Sequence, residues 1–231
     1  QNGLTQTHQN NMGAFGGPDI ITDGLIFAID AGSTRSYPGS GTIATSLKGG
    51  INGTLINGVT FDSSDGGSWE FDGVDQKITA PLTQTFTSAL SVETWFKSTD
   101  TSRSHLWNFG TSASDNLNMN INDGSQTYWI YWQSGGSNSI RATSPQLMDG
   151  SINHLVFVHE GSTNKLYLNG ELLTPATTSG TQTFSGIPGA SYNIGNSPFY
   201  DGNVYVNRVY NVSLTAAEVL QNYNAQKNRF I

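Results

Sequence analysis

Period decides the class of this chain. Only its closing stretch repeats apolar residues at helical spacing, with Ala216, Val219, Leu220 and Tyr223 on one side. Thr215-Ala216-Ala217-Glu218 just before it has the spacing of a capping box, Thr215 capping the helix and Glu218 reaching back. Upstream, the segments that show a period show period two, the signature of half-buried strands. Trp69 and Phe71 alternate with Glu70 and Asp72, ending in an Asp-Gly turn, and the last strand places Val204, Val206, Arg208 and Tyr210 on one face against Tyr205, Asn207 and Val209. GLIFAID (24–30), SVETWFK (91–97), HLVFVHE (154–160) and KLYLNGELL, with its tight Asn169-Gly170 turn, read the same way. Roughly a dozen such strands, separated by short turns, predict an all-β antiparallel two-sheet sandwich closed by one short C-terminal helix.

The hairpin around Asp123-Gly124 carries the candidate binding residues. Leu117, Met119 and Ile121 alternate with Asn116, Asn118, Asn120 and Asn122, and TYWIYW follows the turn. A two-residue turn at Asp123-Gly124 sets Asn118 opposite Trp129, Asn116 opposite Tyr131, Met119 opposite Tyr128 and Leu117 opposite Ile130. One face is then apolar core. The other gathers Asn116, Asn118, Asn120, Trp129 and Tyr131, which is what a sugar requires: rings to stack on its apolar faces and amides that both donate and accept toward its hydroxyls. A covering loop or a neighbouring subunit would account for the same residues as packing. A one-residue slip in register would destroy the arrangement.

Composition excludes several partners. The chain has 231 residues, 12% of them charged against roughly 25% in ordinary soluble proteins, and a net charge of -7. Nucleic acid is bound mainly by Lys and Arg neutralising phosphates, so neither DNA nor RNA is an expected partner. There is no cysteine, hence no disulfide and no thiolate metal site. No run of about 18 apolar residues is present, so no membrane association is expected. The chain opens on Gln1, and QNGLTQTHQNN lacks the charged and apolar regions of a signal peptide, which fits a processed or partial product. Residues 1–22, polar and Gly-rich, read as an N-terminal arm, and residues 23–231 as one domain.

Five segments in order, DGLIFAIDAGSTRSYPGSGT, INGTLING, GGSWEFDGVDQKI, LYLNGELL and VYVNRVYNVSLTAAEVLQNYNAQKNRF, resemble the laminin-G-like jelly rolls of the concanavalin A-like lectin/glucanase superfamily. Together they span Asp23 to Phe230. The wording of the SYPGSGT loop and of the closing segment is similar to domains in structural proteins of tailed bacteriophages. The resemblance implies a jelly-roll sandwich, sugar or protein recognition, and often a calcium ion. Related domains carry an Asp before the Leu of the first loop and another in the strand before the closing helix. Ser46 and Tyr205 stand at those places here, so no calcium and no other cofactor is expected, although Asp72 and Asp75 remain as acidic loop residues.

Hydrolases of this superfamily set two carboxylates along one strand in a Glu-x-Asp-x-Glu pattern, to flank the glycosidic bond. SVETWFK offers only Glu93. Glu70 and Asp72 share a face but read as solvated alternation, and the four histidines form no constellation, His154 and His159 falling on opposite faces. The expectation is therefore a chain without enzymatic activity and without catalytic or metal residues. Its expected role is a structural or decoration module on a phage virion, at the capsid or fibre surface, with glycan contact. Its partners would be other virion proteins, copies of itself, or a cell-surface glycan. The alternative is a secreted or surface bacterial carbohydrate-binding domain, and a glycan hydrolase is the third reading.

Overall fold

The computed structural model describes residues 18–112, 115–121, 127–134, 137–143, 148–174, 177–180 and 191–230. Among these residues seventeen strands, numbered along the chain, form two antiparallel sheets. The eight-stranded sheet holds β1 (Leu25–Asp30), β4 (Thr60–Asp62), β5 (Ser68–Asp72), β7 (Ala89–Lys97), β12 (Asn153–Glu160), β13 (Thr163–Leu168), β14 (Glu171–Leu172) and β17 (Asp201–Tyr210). The nine-stranded sheet runs in the order β15 (Thr177–Ser179), β11 (Ser137–Thr143), β10 (Thr127–Ser134), β9 (Asp115–Ile121), β8 (Ser104–Ser112), β16 (Tyr192–Ile194), β6 (Lys77–Ala80), β3 (Gly53–Ile56), β2 (Ile43–Ala44). One helix, α1 (Ala216–Phe230), follows. No described helix is long and apolar enough to cross a membrane. The antiparallel two-sheet sandwich expected from period two, and the jelly roll that the resemblance implied, is the fold observed.

The apolar members of the alternating strands meet between the sheets. Trp107 is the centre of an aromatic group, its ring 6.0 Å from Phe109, 6.1 Å from Phe157 and 6.3 Å from Tyr192. One polar chain crosses this core. Tyr192 Oη donates to Asn207 Oδ1 at 2.9 Å, and Asn207 Nδ2 donates to Thr94 Oγ1 at 2.9 Å. All three groups are buried and each has a partner, so the link joins the sheets without leaving an orphaned dipole.

The capping box forms as its spacing predicts. Glu218 N donates to Thr215 Oγ1 at 3.3 Å while Glu218 Oε2 accepts from Thr215 N at 2.7 Å. Thr215→Ala is expected to cost about 0.5–2 kcal/mol, read as a lower midpoint in chemical denaturation. The expected apolar stripe differs from the observed one. Leu220 is 42% exposed, whereas Val219 and Asn222 are buried. The reason is that α1 lies on the outward face of the eight-stranded sheet, where part of the bed is polar. Val219 packs with Val156 and Val158, Tyr223 stacks on Trp95 at 5.7 Å, and Phe230 approaches the same indole at 4.7 Å.

Strand β17 pairs with β7 along one edge and with β5 and then β1 along the other. A register shift between Val204 and Val206 corrects the expected faces. Val204 joins Val209 in the inter-sheet core, and Tyr205 and Val206 both pack with Trp95 under the helix. The extra residue of a bulge breaks strict alternation. Residues 1–17 of the expected arm lie outside the described residues. Its end is docked: Ile21 N donates to Asn222 Oδ1 at 2.7 Å and Gln221 Nε2 to the Asp19 carbonyl at 2.8 Å.

Candidate functional site

The outward face of the nine-stranded sheet carries a row of amides. Leu117, Met119 and Ile121 point into the core, which sends Asn118 and Asn120 to the other side. The same alternation turns out Asn108 between Trp107 and Phe109, Asn193 between Tyr192 and Ile194, and Thr79 between Ile78 and Ala80. Register then lines these residues up across neighbouring strands. Thr79 stands opposite Asn193, Asn193 opposite Asn108, Asn108 opposite Asn118, Asn118 opposite Tyr131, and Tyr131 opposite Ser139. A second row runs His105, Asn120, Trp129, Arg141.

The hairpin register differs from the expected one by two residues. Asn118 faces Tyr131 instead of Trp129, Asn116 faces Gln133 instead of Tyr131, Met119 faces Ile130 instead of Tyr128, and Leu117 faces Trp132 instead of Ile130. Pairing ends at Ile121 and Tyr128, so the connection is longer than a two-residue turn, and the Asp123-Gly124 turn with Asn122 lies outside the described residues. Because the side-chain period is two, a two-residue shift keeps every residue on its face. Asn116, Asn118 and Asn120 still share a face with the register positions of Trp129 and Tyr131, whose side chains lie outside the described residues.

Hydrogen bonds orient several of these amides. Thr79 Oγ1 donates to Asn193 Oδ1 at 2.8 Å, Asn193 Nδ2 to Ser191 Oγ at 3.3 Å, Asn118 Nδ2 to Asn116 Oδ1 at 3.1 Å and Asn108 Nδ2 to the Gly110 carbonyl at 3.3 Å. Asn108, Asn118, Asn120 and Asn193 are 5%, 6%, 2% and 4% exposed. Asn108 Oδ1 and His105 Nδ1 are buried without a hydrogen-bond partner among the described residues. Burial, then the positive charge of Arg103, depresses the His105 ring to about 4, against a hydrogen bond to Asn120, so the imidazole is neutral at ordinary pH. Asn108, Asn193, Thr79 and His105 were absent from the sequence-based candidate set. Their signal was present as alternation in HLWNFG and YNI, but which strands lie side by side is not local information.

Glu93 has a different position. It is fully buried beneath α1 and binds Arg208 by a short ion pair, His154 Nε2 at 3.2 Å, Tyr210 Oη at 3.3 Å and Asn222 Nδ2 at 2.8 Å. Burial alone would raise its pKa. The Arg208 guanidinium, with His154 and Asn222, outweighs that and holds the carboxyl down to about 2. Glu93 therefore fastens the helix. His154 lies on this outward face, and His159 on the core side bonds Asn164 Oδ1 at 2.7 Å.

A pocket of about 210 Å³ opens elsewhere, lined by residues that include Glu70, Lys97, Thr99, Asp201 and Asn203. Glu70 stands opposite Asn203, and Asp72 opposite Asp201. Burial, then the charges of Asp100, Asp72 and Glu70, pushes the Asp201 carboxyl up. Ser46 Oγ accepts from Ala28 N at 3.0 Å and Tyr205 Oη donates to Asp65 Oδ2 at 3.5 Å, so both residues noted for the calcium question have internal partners. Asp72 Oδ1 accepts from Val74 N at 2.9 Å within its own turn. No group of three or more His, Asp or Glu suited to a metal ion occurs among the described residues.

Two antiparallel sheets packed face to face, with one helix on the outward side of the eight-stranded sheet, define a jelly-roll sandwich. Residues 72–220 match the laminin-G-type family of the concanavalin A-like lectin/glucanases superfamily, and the chain belongs to that superfamily. No curated protein matches the chain in sequence. Among solved structures it is similar to domain 4 of a GH43 extracellular arabinanase from Geobacillus stearothermophilus, in complex with arabinotriose. The TM-score is 0.68 at 17% identity, covering 86% of this chain and 98% of that one. It is also similar to Trypanosoma rangeli sialidase, with TM-score 0.68 and 14% identity over 95% of this chain and 35% of that one. The botulinum neurotoxin serotype D binding domain gives 0.67 and 12%, over 88% and 51%. The chain thus spans about a third of the sialidase. At these identities the likeness is one of fold.

The expectation of a chain without enzymatic activity is corrected by these likenesses. The same sandwich occurs within a GH43 arabinanase and within a sialidase, so the fold keeps company with glycoside hydrolases and supplies no ground for excluding one. The expectation failed because it looked for both carboxylates on a single strand. Neighbouring strands also bring carboxylates together, as β5 and β17 do with Glu70, Asp72 and Asp201.

Proposed function

We propose that this chain is a glycan-recognition module whose binding surface is the outward face of the nine-stranded sheet. The observation that carries the reading is the continuous polar row from Thr79 through Asn193, Asn108 and Asn118 to the Tyr131 and Ser139 positions. Six strands spaced about 4.8 Å apart give a row of about 24 Å, which suits an extended oligosaccharide better than a single ring. The amides supply both donors and acceptors, and the sequence sets Trp129 and Tyr131, residue types that stack on sugar rings, at paired positions of this face. The row from Thr79 to Ser139 contains neither a carboxylate nor a cationic side chain, so a neutral glycan is the ligand class it favours.

The setting we propose is the surface of a tailed-phage particle, among other virion proteins or copies of this chain. What supports it is the wording of the SYPGSGT loop and of Val204 to Phe230, and a secreted bacterial binding domain is the alternative. Helix α1 is spent inside the fold, so attachment falls to other surfaces. Electron microscopy of the native source decides between a particle lattice and a free protein.

The binding reading is tested on a glycan array with wild type, Asn118→Ala and Trp129→Ala. Wild type is expected to retain a neutral oligosaccharide and each variant to lose about tenfold in affinity, the worth of one good polar or stacking contact. A wild type that retains none sinks the proposal.

A further inference from the structure

The pocket of about 210 Å³ opens where β7 leaves the eight-stranded sheet. Trp69, Phe71, Phe96 and Val204 point into the core, which sends Glu70, Asp72, Lys97, Asp201 and Asn203 to the outward face. Phe230, the last residue of α1, rests on Trp95, so the next outward position along β7, Lys97, is left uncovered by the helix. Pairing between β7 and β17 stops there, at Lys97 opposite Asn203. Ser98 holds the departing chain: its Oγ donates to the Asp201 carbonyl at 2.7 Å and accepts from Asp100 N at 3.0 Å. Gly202 permits the close approach of the two segments. Its φ is +144°, and a Cβ there would stand 2.3 Å from the Lys97 carbonyl oxygen. Glu70, Thr99 and Asp201 in the lining are exposed, so a ligand enters without any movement of the sheet.

The lining is polar and of mixed sign. One register row crosses it as Glu70, Asn203 and Lys97, and the next, about 7 Å along the strands, sets Asp201 opposite Asp72. Lys97 Nζ is held by Asp65 Oδ2 at 2.9 Å and, with three protons, can still donate to a ligand oxygen. The Asp201 carboxylate accepts no hydrogen bond among the described residues, and the charges that act on it, from Asp100, Asp72 and Glu70, are all negative. Its deficit is a cation. Glu70 and Asp201 are diagonal neighbours with Cβ atoms about 7–8 Å apart, a span that one ammonium bridges with bonds of about 2.7–2.9 Å.

Size and polarity narrow the ligand further. The volume falls below the roughly 300 Å³ at the lower end of ordinary ligand pockets, which suits one sugar ring and not a chain. A lysine or arginine side chain brings the charge, but its long stem needs apolar surface, and the aromatic residue of the lining, Phe71, has its ring in the core, 1% exposed. We propose that this pocket is a second sugar site, which takes a single hexosamine with a free amine: its ammonium lies between Asp201 and Glu70, and its hydroxyls meet Asn203 and Lys97. The site is on the opposite sheet from the amide face and does not depend on that surface. Neutral sugars lack the charge that Asp201 needs, and acidic sugars are repelled by the carboxylates.

An amide NMR titration of the full chain tests this with glucosamine, glucose, N-acetylglucosamine and arginine as probes, at about pH 6, where an amine is protonated and ordinary carboxylates are ionised. Glucosamine is expected to shift the amides of residues 70, 97–99 and 201–203. It should bind at least about tenfold more tightly than glucose or N-acetylglucosamine, the worth of one charge-assisted contact. Asp201→Asn and Glu70→Gln alter exposed side chains without changing their shape, so both keep the wild-type spectrum elsewhere, and each should weaken glucosamine about tenfold. Glucosamine that moves none of these amides, neutral sugars that match it, or variants that bind it as wild type does overturn the site. Arginine binding as tightly as glucosamine would assign the pocket to a basic protein side chain and overturn the sugar. A positive titration with an empty glycan array sinks the amide-face reading alone, and the reverse sinks this pocket alone.

Discussion

Glu93→Ala should lower stability by about 3–5 kcal/mol, the scale for removing one partner of a buried ion pair. The substitution leaves the buried Arg208 guanidinium without this carboxylate, beside Gln226 Oε1 at 2.8 Å, and takes an acceptor from Asn222 and Tyr210. Urea denaturation at pH 7 measures it, and a loss under about 1 kcal/mol would show that the cluster does not fasten the helix. The pH dependence follows with a definite sign. The Glu93 pKa is depressed in the folded protein to about 2, while an unfolded glutamate titrates near about 4.3. Its contribution is therefore complete above about 4.3 and is lost as pH falls through the folded value. Wild type should lose more stability than Glu93→Gln between about pH 4.3 and 2.

Trp107→Ala should cost about 3–5 kcal/mol by a different route, the cavity left by a large ring that the surrounding core fills only in part. Its neighbours Phe109, Phe157 and Tyr192 come from β8, β12 and β16, so the loss is felt in both sheets. Global unfolding by calorimetry should shift to lower temperature as one transition. Trp95→Ala provides the contrast. That indole lies under α1 against Tyr223 and Phe230, so its loss should loosen the helix, seen as faster hydrogen exchange in residues 216–230, before it affects the sandwich. Equal protection of the helix in both variants would contradict the division of the structure into a core and a fastened helix.

Much of the fold was legible in the residues themselves, because alternation and capping are local properties. The Thr215 cap and the core positions Trp69, Phe71, Leu117 and Met119 follow from spacing alone. What remained hidden depends on pairing between distant segments. Glu93 looks like a lone carboxylate until β17 sets Arg208 opposite it. The register shifts between Val204 and Val206 in β17 and between His105 and Trp107 in β8 each add one residue to a strand, and nothing in VYVNRVY or HLWNFG marks where. The candidate site shows both sides of this limit. Asn116, Asn118 and Asn120 could be read as one face from a single strand, whereas Asn108 and Asn193 join them only after β8 and β16 are placed beside β9. The misplaced hairpin pairing came from reading Asp123-Gly124 as the whole turn.

That mispairing exposes a tolerance built into the β9 and β10 ribbon. Because alternate residues serve alternate faces, its connecting loop can gain or lose residues in pairs while the amides stay on the outward side. A single insertion within either strand would drive asparagines into the core and expose Met119 and Ile130. Length variation in this loop among descendants of the fold should therefore leave the binding surface intact, whereas odd insertions inside the strands should be purged. The reach of the hairpin can thus evolve separately from the chemistry it carries.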